Sequence, residues 1–418
     1  MEKILLMFER HLQTDIRYLV SGSFWLLLGK GVVFVISLLT TLAFANWLSK
    51  ESFGTYQYVL ALTGFAIILS LPGMHTALVR SIARKKEGTL KLIVKTRLKW
   101  SILGSIIMLG SGAWYFYQAQ TLLALALTSG AIFLPLYATF PVFDAYWDGK
   151  KRFDIKSKYE IVATVFIALF IVPTIYFTNN VLIILLVLFS SSVLINGFLL
   201  HKTLKKTENI DKDKKSIPFG KHITAINGIA IAASHIDKII LWKFLGPIQL
   251  AIYTLALLPL QKILTLNPIG TLALPKLSEN GVNRHLLKKM LIGVAITIPI
   301  AIVLTVLAPF IYNLFFPQYM ESVIYFQVLT ILMVFTPFLL LRIALIAETK
   351  QKELYTTNVI SSVTKIALYL MLVPIWGIWG AIFGVVIGEI IWNGLHLYFF
   401  LKITSAKNLR NIESKPQN

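Results

Sequence analysis

The chain has 418 residues, 56% hydrophobic and only 14% charged, a mixture that a water-soluble fold of this size could carry only with large apolar patches left in water. Its formal charge of +21 would point to nucleic acid only if the 40 basic residues shared one soluble face. The absence of cysteine excludes disulfides, thiolate metal sites and cysteine nucleophiles.

In chain order, residues 1–20 read as an amphipathic helix on the inner membrane surface. Apolar runs of about 20 residues then lie at roughly 21–46, 54–78, 98–118, 121–145, 160–177 and 180–201. A second six lie at roughly 218–243, 250–274, 290–314, 321–347, 355–374 and 378–402. This predicts an all-α polytopic membrane protein of 12 transmembrane helices, in two six-helix bundles covering residues 1–210 and 211–418. Pro135, Pro259, Pro299 and Pro337 fall inside spans and predict kinks. Ala43-Phe44-Ala45 has the form of a signal-peptidase site, but the apolar run before it exceeds an h-region of about 7–15 residues, so it counts as a span.

The basic residues set the orientation. Arg80, Arg84, Lys85, Lys86, Lys91, Lys95, Arg97 and Lys99 crowd one loop, and Lys150, Lys151, Arg152, Lys156 and Lys158 another. Residues 201–222 add seven lysines, whereas the loops on the other side show only Lys50 and Lys243. The positive-inside rule therefore places both termini in the cytoplasm. The charge is topology, and no nucleic acid is expected.

Two stretches repeat. WLSKESFGTYQY (47–58) aligns with WKFLGPIQLAIY (242–253), placing Leu48 on Leu245, Phe53 on Leu250, Gly54 on Ala251 and Tyr56 on Tyr253 at one offset. Ile171-Val172-Pro173 is echoed by Leu372-Val373-Pro374 with the offset slipped. Six plus six helices related by an internal repeat form a transporter architecture, with the substrate path expected between the halves.

LSKESFGTY (48–56), DKIILWKFLGPIQLAIY (237–253), APFIYNLFFPQY (308–319) and LVPIWGIWGAIFG (372–384) together resemble the oligosaccharide flippases (O-antigen, Wzx type) of the MOP superfamily. The resemblance covers essentially the whole chain, although Ser49-Lys50 stands where that family tends to have Gly-Pro, and Ala251 where it has glycine. It implies flipping of an undecaprenyl-diphosphate-linked oligosaccharide across the bacterial inner membrane. Membrane lipid and contact with the polysaccharide polymerase machinery are expected with it, and carboxylates inside the spans could couple transport to H+ or Na+. A multidrug or cation antiporter and a lipid II-type flippase of the same superfamily stand as alternatives.

Ionisable groups inside spans cost about 2.5–3.5 kcal/mol each at a helix centre, so they mark a wet cavity. Lys30, Lys238, Lys262, Arg342 and Lys365 are basic; Asp237 and Glu389 are acidic. Helical spacing groups Ser23, Lys30, Ser37 and Thr41 on one face, and Asn227, Ser234 and Lys238 on another. It also groups Asn358, Ser362, Lys365 and Tyr369, then Glu389, Asn393 and His396. The basic excess favours an anionic cargo such as a diphosphate, with Lys30, Lys262, Lys365, Lys238, Arg342, Asn227 and Asn358 as substrate-binding candidates. Lys30 has no acidic neighbour in sequence. Asp237 and Glu389 are the ion-coupling candidates, while a structural Lys365–Glu389 pair and snorkelling of Arg342 are open alternatives. His75, His235 and His396 read as bonded core residues, so no metal or cofactor is expected. No carboxylate pair, metal cluster or nucleophile constellation sits in the short external turns, which argues against an enzyme.

Overall fold

A computed structural model describes the backbone of residues 16–265 and 285–413 and the side chains of 28–264 and 286–405. The expected surface helix at 1–20 lies mostly outside the described residues; from Ile16 the chain is already part of the first long helix. Every regular element among the described residues is helical. In order these are α1 (Ile16–Trp47), α2 (Lys50–Ala66), α3 (Met74–Ala83), α4 (Thr89–Tyr117), α5 (Thr121–Thr139), α6 (Phe143–Gly149) and α7 (Phe153–Phe177). There follow α8 (Val181–Lys205), α9 (Ser216–Thr265), α10 (His285–Phe315), α11 (Val323–Leu329), α12 (Leu339–Ala347), α13 (Gln351–Trp376) and α14 (Ile378–Glu413). Short 3-10 stretches at Ile67–Ser70, Phe140–Val142, Pro317–Ser322 and Thr330–Phe338 join some of them.

Among the described residues, ten helical runs are long and apolar enough to cross a membrane. Two departures separate that number from the twelve expected. The helix α4 begins at Thr89, well before the apolar run, because Lys91, Lys95, Arg97 and Lys99 are adequate helix formers. Its apolar stretch is diluted by glycine, serine, tryptophan and tyrosine, and it is not among the ten. The expected seventh and eighth spans are one helical run, α9, interrupted only at Gly246 with φ +80° and ψ −175°. The prolines act unevenly: Pro337 sits in the 3-10 stretch Thr330–Phe338, whereas α5 and α9 continue as α-helix through Pro135 and Pro259, and α10 through Pro299.

The chain forms two compact units, one of residues up to Leu48 with Leu62–Ala225, the other of Ser49–Ala61 with residues from Ile226 onward. These units part at Ala225, and a piece of α2 belongs to the second.

In the first unit α1 packs on α7, α4 on α5, and α8 on both α5 and α7. Its core gathers Met74, Leu78, Leu90, Tyr146 and Leu199, each at most 2% exposed, with Trp147 donating from Nε1 to Thr203 Oγ1 at 3.2 Å. Polar backbone in this apolar setting is satisfied locally; the Gly73 N–H, for instance, donates to Thr224 Oγ1 at 3.0 Å.

In the second unit the two repeated turns lie against each other. A side chain at Gly54 would run into the carbonyl of Pro247, so the glycine permits backbone contact there. Close by, Tyr58 stacks on Trp242 at 4.4 Å and 10°, and Phe53 meets Tyr319 edge-on at 6.2 Å. Gly246 has open space around it and is required for its positive φ instead. The pairing of α13 with α14 rests on Gly380, Gly384 and Gly388, which face the Leu372 carbonyl, the Tyr369 ring and the Lys365 side chain in turn. Small residues every fourth position let membrane helices approach closely, and here that rule sets the register of two cavity-lining helices. Faces of α10 and α13 leave Ile302, Val306, Met371 and Ile375 exposed, as residues bathed in lipid should be.

Candidate functional site

The second unit holds a cavity of about 520 Å³, bordered by α9, the segment 330–342, α13 and α14. Helical periodicity explains its polar lining. On α13, Ser361, Lys365 and Tyr369 recur every fourth residue, with Ser362 beside them. On α14, Glu389, Asn393 and His396 share one face with Trp392. Ser234 and Asp237 come from α9 and Arg342 from α12.

The lining is bonded in a specific order. Lys365 Nζ lies 2.6 Å from Glu389 Oε1, so the pair left open by sequence forms. Asn393 donates to the Glu389 carbonyl at 2.8 Å and approaches Oε2 at 3.5 Å, which orients the carboxylate. Gly388 makes the pair feasible, since any side chain there would occupy the path of the Lys365 methylenes. Tyr253 donates to Asp237 Oδ2 at 2.8 Å, while Asp237 Oδ1 is buried with no partner. The Arg342 guanidinium stands over the Trp392 ring at 5.8 Å and has no carboxylate within ion-pair distance among the described residues. Two cations and two carboxylates thus share the cavity, which balances its charge.

The other candidates lie elsewhere. Neither Lys238 nor Asn227 borders the cavity; of the stripe drawn from sequence on α9 only Ser234 does, and Ala230, Ala233 and Asp237 complete the inward face. Asn358 is half-buried and one turn beyond the lining residues of α13, and Lys262 is half-buried while its neighbour Gln261 borders the cavity. Lys30 belongs to the first unit, where it is exposed and within electrostatic reach of Glu160 on α7. It has an acidic neighbour after all, one that only helix packing supplies. No group of three or more His, Asp or Glu that could hold a metal ion occurs among the described residues.

The first unit has its own charge network, whose Arg97, Lys150 and Lys156 read from sequence only as loop charges. Arg97 is 7% exposed and donates to the Ala138 carbonyl, within electrostatic reach of Asp144. His75 Nε2 meets Asp144 at 3.3 Å and Lys156 meets Asp148 at 2.7 Å. Glu87 is 2% exposed and accepts from Tyr146 Oη at 2.7 Å and the Glu208 N–H at 2.9 Å, with Lys150 as its ion partner. Burial opposes the charge on Glu87, yet bonds from Lys150, the Glu208 amide and Tyr146 hold its carboxyl below the usual 4.5. Burial likewise works against the Lys150 ammonium, but Glu87 and Glu208 raise it above its ordinary value. The available signal was Glu87 itself, the only acid in a strongly basic loop.

A family model described as polysaccharide biosynthesis protein matches residues 19–281. The chain belongs to that family. Solved structures with a similar fold include the lipid II flippase MurJ in an inward closed conformation, at TM-score 0.67, 16% identity, and coverage of 94% of this chain and 93% of that one. An inward-facing multidrug resistance MATE family transporter of the MOP superfamily is similar at TM-score 0.64 and 15% identity, covering 88% of this chain and 94% of that one. A MOP superfamily transporter from Pyrococcus furiosus, described as having a binding pocket of reverse polarity, matches at TM-score 0.64 and 14% identity, over 92% and 96% of the two chains. No curated protein sequence matches the chain. At such identities the likeness establishes the fold alone, so this member of the polysaccharide biosynthesis family has a MOP-type, multi-pass membrane fold.

Proposed function

We propose that this protein is a flippase that carries an undecaprenyl-diphosphate-linked oligosaccharide from the inner to the outer leaflet of the bacterial inner membrane by alternating access. Both termini are cytoplasmic and the helices make twelve passes. Counting α9 as two passes because of its break at Gly246, and adding α4, extends the ten clear spans to that number. Residues 1–210 and 211–418 are the two six-helix halves. The observation that carries the reading is a cavity holding Arg342, Lys365, Asp237 and Glu389 inside membrane helices of a polysaccharide biosynthesis family member. Groups of that kind are retained in a bilayer only where they meet water or a polar cargo.

Arg342 is the group best placed for the lipid's phosphates, being free of any carboxylate partner among the described residues and planar enough to bind two phosphate oxygens. Lys30, Lys238, Lys262, Asn227 and Asn358 are assigned accessory roles along the path. Asp237, with one oxygen unpartnered, and Glu389, exchangeable against Lys365, are the groups that couple transport to H+ or Na+. The balanced cavity charge favours a second reading, a multidrug or cation antiporter, since its two carboxylates could serve a cationic cargo.

Complementation decides between them. Expression in a flippase-null strain should restore surface polysaccharide, and Arg342→Ala and Lys30→Ala should each lower it at least about tenfold with normal membrane levels of protein. Failure to restore any glycan, together with cation-driven efflux of an amphiphilic amine, would replace the flippase with the antiporter.

A further inference from the structure

His396 was read from sequence as a bonded core residue, and only half of that description holds. Its Nδ1 lies 2.8 Å from the Trp392 carbonyl oxygen, one turn back on α14. A carbonyl can only accept, so Nδ1 carries the hydrogen, and in the neutral ring Nε2 is left as a bare acceptor. That Nε2 has no partner, although His396 is 1% exposed and borders the cavity. Buried polar atoms are almost always bonded, so an orphan beside a cavity marks a place where a ligand supplies the missing group. What Nε2 lacks is a donor.

The surroundings say which donor. Trp392 meets the His396 ring at 4.9 Å and 64°, and carries the Arg342 guanidinium on its own ring. One indole therefore positions both groups. Arg342 presents donors only and calls for an anion; His396 presents an acceptor and calls for a neutral hydroxyl. Asn393, 6% exposed and one turn from Glu389, closes the same face. An anion alone satisfies Arg342 and leaves Nε2 empty, whereas an ammonium could donate to Nε2 but is repelled by Arg342.

We infer that Arg342, Trp392 and His396 form a headgroup-reading corner specific for a glycosyl phosphate, in which Arg342 takes a phosphate and His396 Nε2 accepts a hydrogen bond from a hydroxyl of the adjoining sugar. The inference rests on the flippase reading and deepens it: this corner distinguishes sugar-bearing lipid diphosphate from the bare lipid diphosphate. His396 is a specificity residue; Trp392 is a positioning residue.

The test uses the full chain in lipid nanodiscs and two probes, undecaprenyl diphosphate and the same lipid carrying N-acetylglucosamine or galactose. One neutral hydrogen bond corresponds to a gain in affinity of up to about tenfold, so the wild type should bind the sugared lipid about five- to tenfold more tightly than the bare one. His396→Phe should bring the two within about twofold while leaving the affinity for the bare lipid unchanged, and His396→Gln, which returns an acceptor near the Nε2 position, should recover most of the difference. On the wild type, the 15N resonance of His396 Nε2 should move with the sugared lipid and not with the bare one, a reading that stands even if the Phe variant does not fold. A Phe variant that still prefers the sugared lipid, or that loses affinity for both lipids equally, overturns the inference and leaves the flippase intact. Binding of neither lipid by the wild type overturns the flippase reading itself, and this inference with it.

Discussion

The two units treat ionisable side chains in opposite ways. In the first, most of the buried charge is engaged at home: Glu87 by Tyr146, Lys150 and the Glu208 amide, Lys156 by Asp148, and Arg97 by the Ala138 carbonyl, with only Arg97 Nε left unpartnered among these groups. In the second, the cavity keeps open valences at Asp237 Oδ1 and His396 Nε2, and an arginine with no carboxylate partner among the described residues. A satisfied network rigidifies a structure, while an incompletely satisfied one is stable only where water or a ligand completes it. On the proposed function, the first set serves as scaffold and the second, whose open groups line a cavity, as recognition.

The sharpest way to break that contrast is at Glu87. Glu87→Ala should strand three donors, one of them a cation, and destabilise the protein by about 3 kcal/mol, seen as a lowered unfolding midpoint in detergent. An unchanged midpoint would mean that the network is ornamental. Acidity probes the same group. Because its carboxyl is held below 4.5 in the folded state, the stability it confers is complete above that value and is lost as the pH falls through the lower, folded-state value. Glu87→Gln should therefore show a shallower loss of stability in that acidic window than the wild type, and equal slopes would deny the linkage.

A somewhat smaller effect is expected at the second unit's ion pair. Lys365→Met leaves Glu389 with Asn393 alone and should cost about 2 kcal/mol, with loss of glycan export. The double variant Lys365→Met, Glu389→Gln removes both charges and should regain stability without regaining export. Recovery of both would make the pair purely structural.

Two glycines set the lower end of the scale. Gly54→Ala must displace the Pro247 backbone and should cost about 2 kcal/mol, whereas Gly246→Ala meets open space and pays only for a positive φ, about 1 kcal/mol. The reverse order in thermal unfolding would show that the contact between the two repeated turns yields more easily than the bend.

Much of the fold was legible because the bilayer imposes a long-range pattern on a local string: apolar runs of fixed length, with lysines and arginines between alternate pairs. For the pairing of α13 with α14, the sequence carries a signal in the Gly380-Gly384-Gly388 spacing. The site was half legible. Lys365, Arg342, Asp237 and Glu389 stood out because charge is costly in lipid, and all four border the cavity. Lys238 and Lys262 stood out for the same reason, and Asn227 and Asn358 by spacing, yet none of these four borders it, because a shift of one residue turns a helical side chain by about 100°.

The chain by itself determined that it lives in a membrane, how its basic loops alternate and which residues are too polar for their surroundings, since these follow from transfer energies that each residue carries wherever it stands. Tertiary structure alone decided that Lys30 has Glu160 beside it, that Lys365 is bound to Glu389, and that His396 keeps one nitrogen open. Such facts depend on which helix faces meet, and that is settled by packing between residues far apart in sequence.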